Sequence, residues 1–388
     1  MSSPLRGATA VVGVGTSSVY RRGGSPEGEL TLTVRAVMAA CADAGIHPRD
    51  IDGFTSYGGD RNAGQRLMGS LGTRDLRWSS SVWDGGGGGL AGAIGNAAAA
   101  IVAGQAEVVA VVRGVAERSG GRLRDDVSRG HFDLQYQVNG VQAPAQICAL
   151  RTQRLLHEGV PESALYAVAA ASYHHASRNP RAFGRDTDLD HETYLASRWV
   201  SEPLRLFDCS RENDGAAAII VVSAQQAAEL THRPAYVLAS QQGADAGFGE
   251  LGESVEPYWS AGFASVARRL WNESGYGPND VDVAEVYTNF TGPAVAALID
   301  HGFCTLETAG NFCTTENLTA PHGRLPINTS GGDLAEGFLH GALSMVEAVR
   351  QIRGDSYNQV PGASLALLTG GPAGPLVSSV LFGSESTL

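Results

Sequence analysis

Apolar positions along this chain fall into short continuous runs separated by stretches of helical period, and this alternation predicts a mixed α/β fold. Ala8 to Val14 reads as a strand. Leu30 to Ala44 has helical spacing and ends at Gly45, a residue suited to a left-handed helix cap. Ile51 to Ser56 is a second strand. A glycine run, Gly85 to Gly89, then leads into a small-residue segment from Leu90 to Ala103, a buried helix stopped by Gly104. Strand Val108 to Val112 completes a βαβ unit. From about Ala116 to Val200 the pattern loosens and turns polar, predicting a mostly helical excursion of the kind that walls a pocket. Asp214 to Ser223 returns to the buried-strand style.

The second half repeats the scheme. Ala235 to Ser240 is a strand, Ala261 to Asn272 a helix and Val281 to Val286 a buried strand. Pro293 to His301 is a helix with proline at a favourable early position. Leu343 to Arg353 is a further helix, and Ser364 to Thr369 leads into a last strand, Leu376 to Phe382. Two passes of similar content suggest an internal duplication, with halves at residues 1–225 and 226–388 and the excursion, about 116–200, inside the first.

Composition narrows the function. Of 388 residues 43% are hydrophobic, enough for a large core. The balance of 28 Lys plus Arg against 40 Asp plus Glu, net −12, argues against a nucleic-acid partner. It leaves room for a small ligand carrying a few phosphates, which a few arginines and helix N-termini can hold. The most apolar stretches are too short and too broken by Gly and Asn for a membrane span. The first residues lack a basic region followed by a long apolar stretch, so a cytoplasmic location is expected. The five cysteines form no CxxC pair and read as free thiols. His174 and His175, adjacent on a helix, point in different directions, so no metal site is expected. Gly13-Val14-Gly15 lacks the third glycine of a dinucleotide fingerprint.

Six segments, in order and spanning nearly the whole chain, carry a resemblance: AVVGVGTSSVYRRGG with DIDGFTSYGG, GGGGGLAGAIGNAAAAIVAGQAEVVAVV, PLRLFDCSRENDGAAAIIVVS, VAEVYTNFTGPAVAALIDHGFC, LPINTSGGDLAEGFLHGALSMVEAVRQIRG and LLTGGPAGPLVSSVLF. Together they resemble the thiolase superfamily, in its lipid-transfer-protein-like branch. That resemblance implies two duplicated βαβαβ halves in a five-layer αβαβα arrangement, with the helical insertion, a site between the halves and a homodimer. The chemical positions depart from the pattern. Gly87, give or take one residue, stands where the nucleophilic cysteine belongs, and no cysteine lies between Ala42 and Ile147. Tyr287-Thr288-Asn289-Phe290 takes the place of the HDCF-like motif, putting tyrosine at its histidine. Gly337-Phe338-Leu339 replaces the GHP-like motif, with His340 two residues on, and Thr369-Gly370-Gly371 replaces the final Cys-Gly-Gly.

This set of departures resembles the thiolase-like steroid side-chain aldolases, which cleave a β-hydroxyacyl-CoA by retro-aldol chemistry. They typically work with an OB-fold partner bearing a zinc ribbon, giving a heterotetramer here. In that subfamily an aromatic hydroxyl also occurs near the position of Phe338; phenylalanine supplies none. Retro-aldol cleavage needs a base for the β-hydroxyl, donors for the enolate oxygen and an acid for the α-carbon, but no covalent nucleophile. Tyr287 is the candidate base, and since a free phenol titrates near pH ~10 its site would have to lower that value. Against this stands a tyrosine that merely ends a buried strand. His340 is the candidate for polarising the thioester or acting as acid; capping or packing at the helix start explains it equally well. Gly86, Gly87 and Gly88 could hold an oxyanion with backbone N–H groups, or permit close packing. Asn328 is a supporting candidate in a turn that turn chemistry also explains. No resident cofactor is expected, CoA entering with the substrate. Two other functions stay open: an acyltransferase using a different cysteine such as Cys313, and a non-catalytic acyl-CoA or lipid-binding subunit.

Overall fold

The computed structural model describes residues 3–83, 86–116, 136, 138–230, 233–247, 256–372 and 376–388. Gly85 and residues 117–135 and 137 of the excursion lie outside the described residues. The strands are β1 (Thr9–Thr16), β2 (Tyr20–Arg21), β3 (Gly53–Tyr57), β4 (Trp78–Val82), β5 (Val108–Val115), β6 (Trp199–Ser201), β7 (Leu204–Arg205), β8 (Asn213–Ser223), β9 (Ala235–Gly243), β10 (Val283–Glu285), β11 (Leu365–Gly370) and β12 (Val377–Gly383). Helices of eight residues or more are α1 (Glu29–Ala44), α2 (Gly64–Leu71), α3 (Leu90–Val102), α4 (Pro144–His157), α5 (Glu162–Ala176), α6 (Ala264–Ser274), α7 (Thr291–Asp300) and α8 (Ala342–Arg353).

The duplication is visible in the pairing. One sheet runs β10-β11-β12-β9-β1-β8-β5-β3-β4. Outward from its centre on one side, β1 pairs antiparallel with β8 and β8 with β5, and then β5, β3 and β4 run parallel. On the other side β9 pairs antiparallel with β12 and β12 with β11, and β11 runs parallel to β10. The two arms join only through Ala10 opposite Tyr236 and Val11 opposite Ala235. At the free edge of β10, Ala284 bridges to Ile327, so the INTSGG turn sits where a fifth strand would begin.

Helices α3 and α8 pack against strands of both arms and form the middle layer. α1 covers β1, β5 and β8 on one outer face, and α6 covers β9 and β12 on the other. This is the five-layer order expected. The central helices must come close to backbone on both sides, which explains the Ala and Gly content of α3. A Cβ at Gly92 would stand 2.0 Å from Gln242 Oε1 on β9. Arg353, at the end of α8, ties the layers with a bidentate bond to Asp43 of α1 at 2.7 and 3.1 Å.

Most elements lie where the periodicity puts them, within a few residues. α1 ends at Gly45 with φ +70°, the left-handed cap expected. Two corrections stand out. Helix α7 begins at Thr291, so Pro293 is its third residue rather than its opener. The segment expected to lead into the last strand is a strand in its own right, β11 (Leu365–Gly370). Strand β4 (WSSSV) escaped the apolar-run criterion because it is a polar edge strand, and alternate residues face solvent.

Candidate active site

The site gathers around one aromatic ring. Tyr287 lies two residues past the end of β10 and is 3% exposed. Its backbone N–H donates to Thr369 Oγ1 on β11 at 2.9 Å, which fixes the strand end that carries it. Gly87 lies flat against the phenol. A Cβ there would stand 2.0 Å from Cε2, 2.4 Å from Cζ and 2.6 Å from the hydroxyl oxygen. Only glycine leaves room for the ring, and no side chain of any kind can project from position 87 while Tyr287 stays in place. On the other side of the ring, a Cβ at Gly341 would meet Cδ2 at 2.9 Å. Phe338 packs edge-on against Tyr287 at 6.1 Å and against His340 at 5.1 Å between ring centres. Gly87, Tyr287 and the Phe338–Gly341 turn therefore form one cluster.

The phenol hydroxyl has no hydrogen-bond partner among the described residues, so its bonding capacity is open to a substrate. Its acidity departs from expectation. Burial pushes the Tyr287 pKa well above the usual phenol value, helped by the Asp333 carboxylate and Tyr57; Arg113 pulls the other way and loses. The site raises the phenol's pKa rather than lowering it, and in the unbound protein Tyr287 is neutral.

His340 has φ +54°, a left-handed conformation uncommon for a residue with a Cβ. The turn is held by neighbours: Tyr57 donates its hydroxyl to the His340 carbonyl at 3.0 Å. Asp333 Oδ1 accepts the Gly341 N–H at 3.1 Å, while its Oδ2 accepts the Thr288 N–H at 3.1 Å. One buried carboxylate thus clamps the backbones next to both Tyr287 and His340. Burial raises that carboxyl to about 7. His340 as a whole residue is half-buried. Its Nδ1 sits 2.7 Å from an Arg113 guanidinium nitrogen. Desolvation, with Arg113, lowers its pKa to about 3, so the imidazole is neutral and is no proton-donating imidazolium at physiological pH.

Gly88 is buried and close-packed, while Gly86 is exposed, with φ +51° and open space where a Cβ would stand. A Cβ on Gly58 would stand 2.0 Å from the Gly86 carbonyl oxygen, and a Cβ on Gly88 the same distance from the Leu376 carbonyl. Ser378 Oγ accepts the Ala91 N–H at 3.0 Å and caps the start of α3. Asn328 is brought near but faces away. It is fully buried, its Oδ1 accepts the Val286 N–H at 2.9 Å and its Nδ2 donates to Thr288 Oγ1 at 2.8 Å. Its role is to brace the chain on either side of Tyr287.

With this geometry in place, known proteins can be compared. A family model described as "Thiolase C-terminal domain-like" matches residues 251–381. The "17-hydroxy-3-oxo-4-pregnene-20-carboxyl-CoA lyase" of Mycobacterium tuberculosis is 35% identical, over 97% of this chain and 100% of the relative. The "Steroid side-chain-cleaving aldolase" of Thermomonospora curvata is 34% identical, over 99% of this chain and 100% of the relative. A solved structure described as "Ltp2-ChsH2(DUF35) aldolase" superposes with a TM-score of 0.92 at 34% identity, covering both chains fully. The chain belongs to the thiolase-like steroid side-chain-cleaving aldolases.

Within this aldolase scaffold no cysteine takes up the missing nucleophile's place. All five are buried and free. Burial pushes Cys41 and Cys148 up to about 12 and raises Cys209 as well. Cys313 is raised by a hydrogen bond shared with Cys304 and by burial. Among the described residues no group of three or more His, Cys, Asp or Glu side chains could hold a metal, and no helix is long and apolar enough to cross a membrane. Arg113 and Asp333 escaped the sequence reading, whereas Thr369 was placed at the final Cys-Gly-Gly position without a role. Arg113 had a signal, a lone charge near the end of the apolar run VVAVVRGV. Asp333 looked like an ordinary turn residue.

Proposed function

We propose that this chain cleaves a β-hydroxyacyl-CoA on a steroid side chain by retro-aldol chemistry, releasing a short acyl-CoA (propionyl- or acetyl-CoA) and a ketone or aldehyde. The observation that carries the reading is the Tyr287 ring occupying the space where a nucleophile at position 87 would project. A cysteine acyl-enzyme has no room there, while a proton carrier does. The names of the two full-length relatives, a carboxyl-CoA lyase and a side-chain-cleaving aldolase, support the substrate class.

The steps balance with one proton carrier. The β-hydroxyl proton goes to Tyr287 oxygen as phenolate, and the O–H electron pair becomes the new C=O bond. The Cα–Cβ bond breaks, and its electrons form the enolate of the departing thioester. Backbone N–H groups of the Gly86–Gly88 turn and the His340 ring stabilise that enolate oxygen, and Tyr287 returns the proton to the α-carbon. No resident cofactor enters; CoA comes and leaves as part of substrate and product.

A neutral resting phenol has a consequence for pH. The active base is the minor, ionised form, so kcat/KM should rise about tenfold per pH unit through the neutral and mildly alkaline range. A profile that is flat there would make Tyr287 a hydrogen-bond donor instead of the base. The direct test is the purified chain, with and without an OB-fold zinc-ribbon partner, acting on β-hydroxy steroid-CoA esters with products followed by mass spectrometry. Wild type should release a ketosteroid and a short acyl-CoA. Tyr287→Phe should lose at least ~10²-fold in rate and keep its melting temperature, since the hydroxyl it removes has no partner within the described chain. Binding without cleavage across several side-chain lengths would instead mark a substrate-binding subunit.

The named pairing in the "Ltp2-ChsH2(DUF35) aldolase" structure supports a partner protein for this chain. A homodimeric core is supported by the edge of β4, unpaired among the described residues, and by Trp83 just past its end, 86% exposed. Light scattering of the chain alone and with the partner reads both.

A further inference from the structure

The His340 ring has two nitrogens, and the fold treats them differently. Nδ1 meets Arg113 at 2.7 Å. A guanidinium has five N–H donors and no acceptor, so the Nδ1 lone pair must be the acceptor in this bond. A neutral imidazole that accepts at Nδ1 carries its proton on Nε2. Nε2 has no hydrogen-bond partner among the described residues. The ring therefore presents one N–H, unengaged among the described residues, from a half-buried residue that packs on Phe338, which packs in turn on Tyr287.

Arg113 is itself fixed. It is 4% exposed on β5, donates to the Tyr57 carbonyl at 3.0 Å and lies 3.7 Å from Asp60 Oδ2. Asp60 is held in turn by the backbone N–H groups of Gly114, at 3.0 Å, and Asn62, at 2.7 Å. The guanidinium also sits over the Tyr57 ring, 5.6 Å from its centre. The charged and titratable groups around His340 are Arg113 from β5, Asp60 and Tyr57 from β3 and the turn after it, Asp333 beneath Gly341, and Tyr287 beyond Phe338. Of these only Arg113 bonds the ring.

We propose that Arg113 is a positioning residue for this aldolase: it holds His340 as the Nε2–H tautomer, a neutral hydrogen-bond donor for the thioester oxygen of the substrate. The substrate half of this statement rests on the reading given under Proposed function; the tautomer half does not. The device suits enolate chemistry. A neutral donor of fixed orientation stabilises the developing oxyanion without leaving a proton that would quench the enolate at oxygen. It also explains why a buried arginine ends an otherwise apolar strand.

Nitrogen-15 spectra of the full-length chain, labelled at histidine and assigned by the signal lost in His340→Gln, test the tautomer directly. The expected result is a proton on Nε2 and none on Nδ1, unchanged between about pH 8 and pH 5. A proton on Nδ1, or titration of His340 within that window, overturns the proposal. Arg113→Met should let His340 titrate in the window and lower kcat roughly 10- to 100-fold, as for groups that orient a functional imidazole from behind, with KM nearly unchanged. Arg113→Lys, also donor-only, should restore part of both. A folded Arg113→Met with the wild-type tautomer and kcat overturns the positioning role. Where that variant fails to fold, the wild-type spectrum decides. A wild-type chain with the expected tautomer that cleaves no β-hydroxy steroid-CoA would sink the proposed reaction while the tautomer assignment stands.

Discussion

Two residues in this protein adopt a left-handed backbone without being glycine, Asn328 at φ +51° and His340 at φ +54° among the described residues. Both sit in Gly-rich turns, and sequence alone marks both as candidates for the site. Their surroundings separate them. Asn328 is fully buried, and its amide, its N–H and its carbonyl are all engaged: Val286, Thr288, Ala284 and His175 take up each group. His340 spends its carbonyl on Tyr57 and Nδ1 on Arg113, and keeps Nε2 free. Strain of about 1–2 kcal/mol is thus retained for two different ends. At Asn328 it places a brace that fixes the backbone on both sides of Tyr287; at His340 it aims a donor. A strained turn identifies a place the fold insists upon, and only the unspent polar atoms say whether it works on a substrate.

Substitutions can break this distinction. The largest effect on folding should come from Asn328→Ala, which leaves the Val286 N–H and the Thr288 hydroxyl without their buried partner. The expected loss is roughly 2–5 kcal/mol of stability, read by denaturant unfolding. Asn328→Gly relieves the backbone strain and should still be destabilised, because the lost amide matters more than the φ angle. His340→Gln should show the opposite profile, with cleavage reduced about 10²-fold and melting almost unmoved. His340→Gly sharpens it further: stability within about 1 kcal/mol of wild type, activity as low as in the Gln variant. An Asn328 variant that folds well but is inactive would erase the contrast.

A smaller effect concerns Asp333, the carboxyl that ties the two turns together. Its pKa is raised from 3.8 to about 7 by burial, so the folded chain holds a proton there that the unfolded chain releases. The stability it contributes is complete below about pH 4 and fades as pH rises through about 7. Relative to Asp333→Asn, the wild-type protein should therefore lose stability between about pH 5 and pH 8. Paired denaturation curves at the two pH values check the sign. The same variant should perturb Tyr287, since the Asp333 charge helps keep that phenol protonated.

The site was legible in part. Tyr287, Gly87 and His340 converge because each occupies a motif position whose place in the fold is set by the strands and glycines around it. Arg113 and Asp333 were not legible as site residues. Arg113 lies 227 residues from His340 in sequence, and nothing local to either reports their 2.7 Å contact. The protonation of Tyr287 was not legible in sequence for a related reason. A phenol's pKa is decided by what surrounds it, and here burial and a carboxylate from another turn outweigh one arginine.

Sequence alone carried the order of elements, the suggestion of two halves of similar content, and the absence of a cysteine from the nucleophile's motif position. These follow from local periodicity, from turn residues and from single letters at motif positions. Which polar atoms remain unspent was settled by contacts between distant segments. Tyr287 filling the space beside Gly87, Asn328 consumed as a brace and His340 left with one free N–H all depend on side chains meeting from distant segments. Local sequence fixes backbone preference over a few residues, whereas hydrogen-bond satisfaction and desolvation are settled only when the layers close.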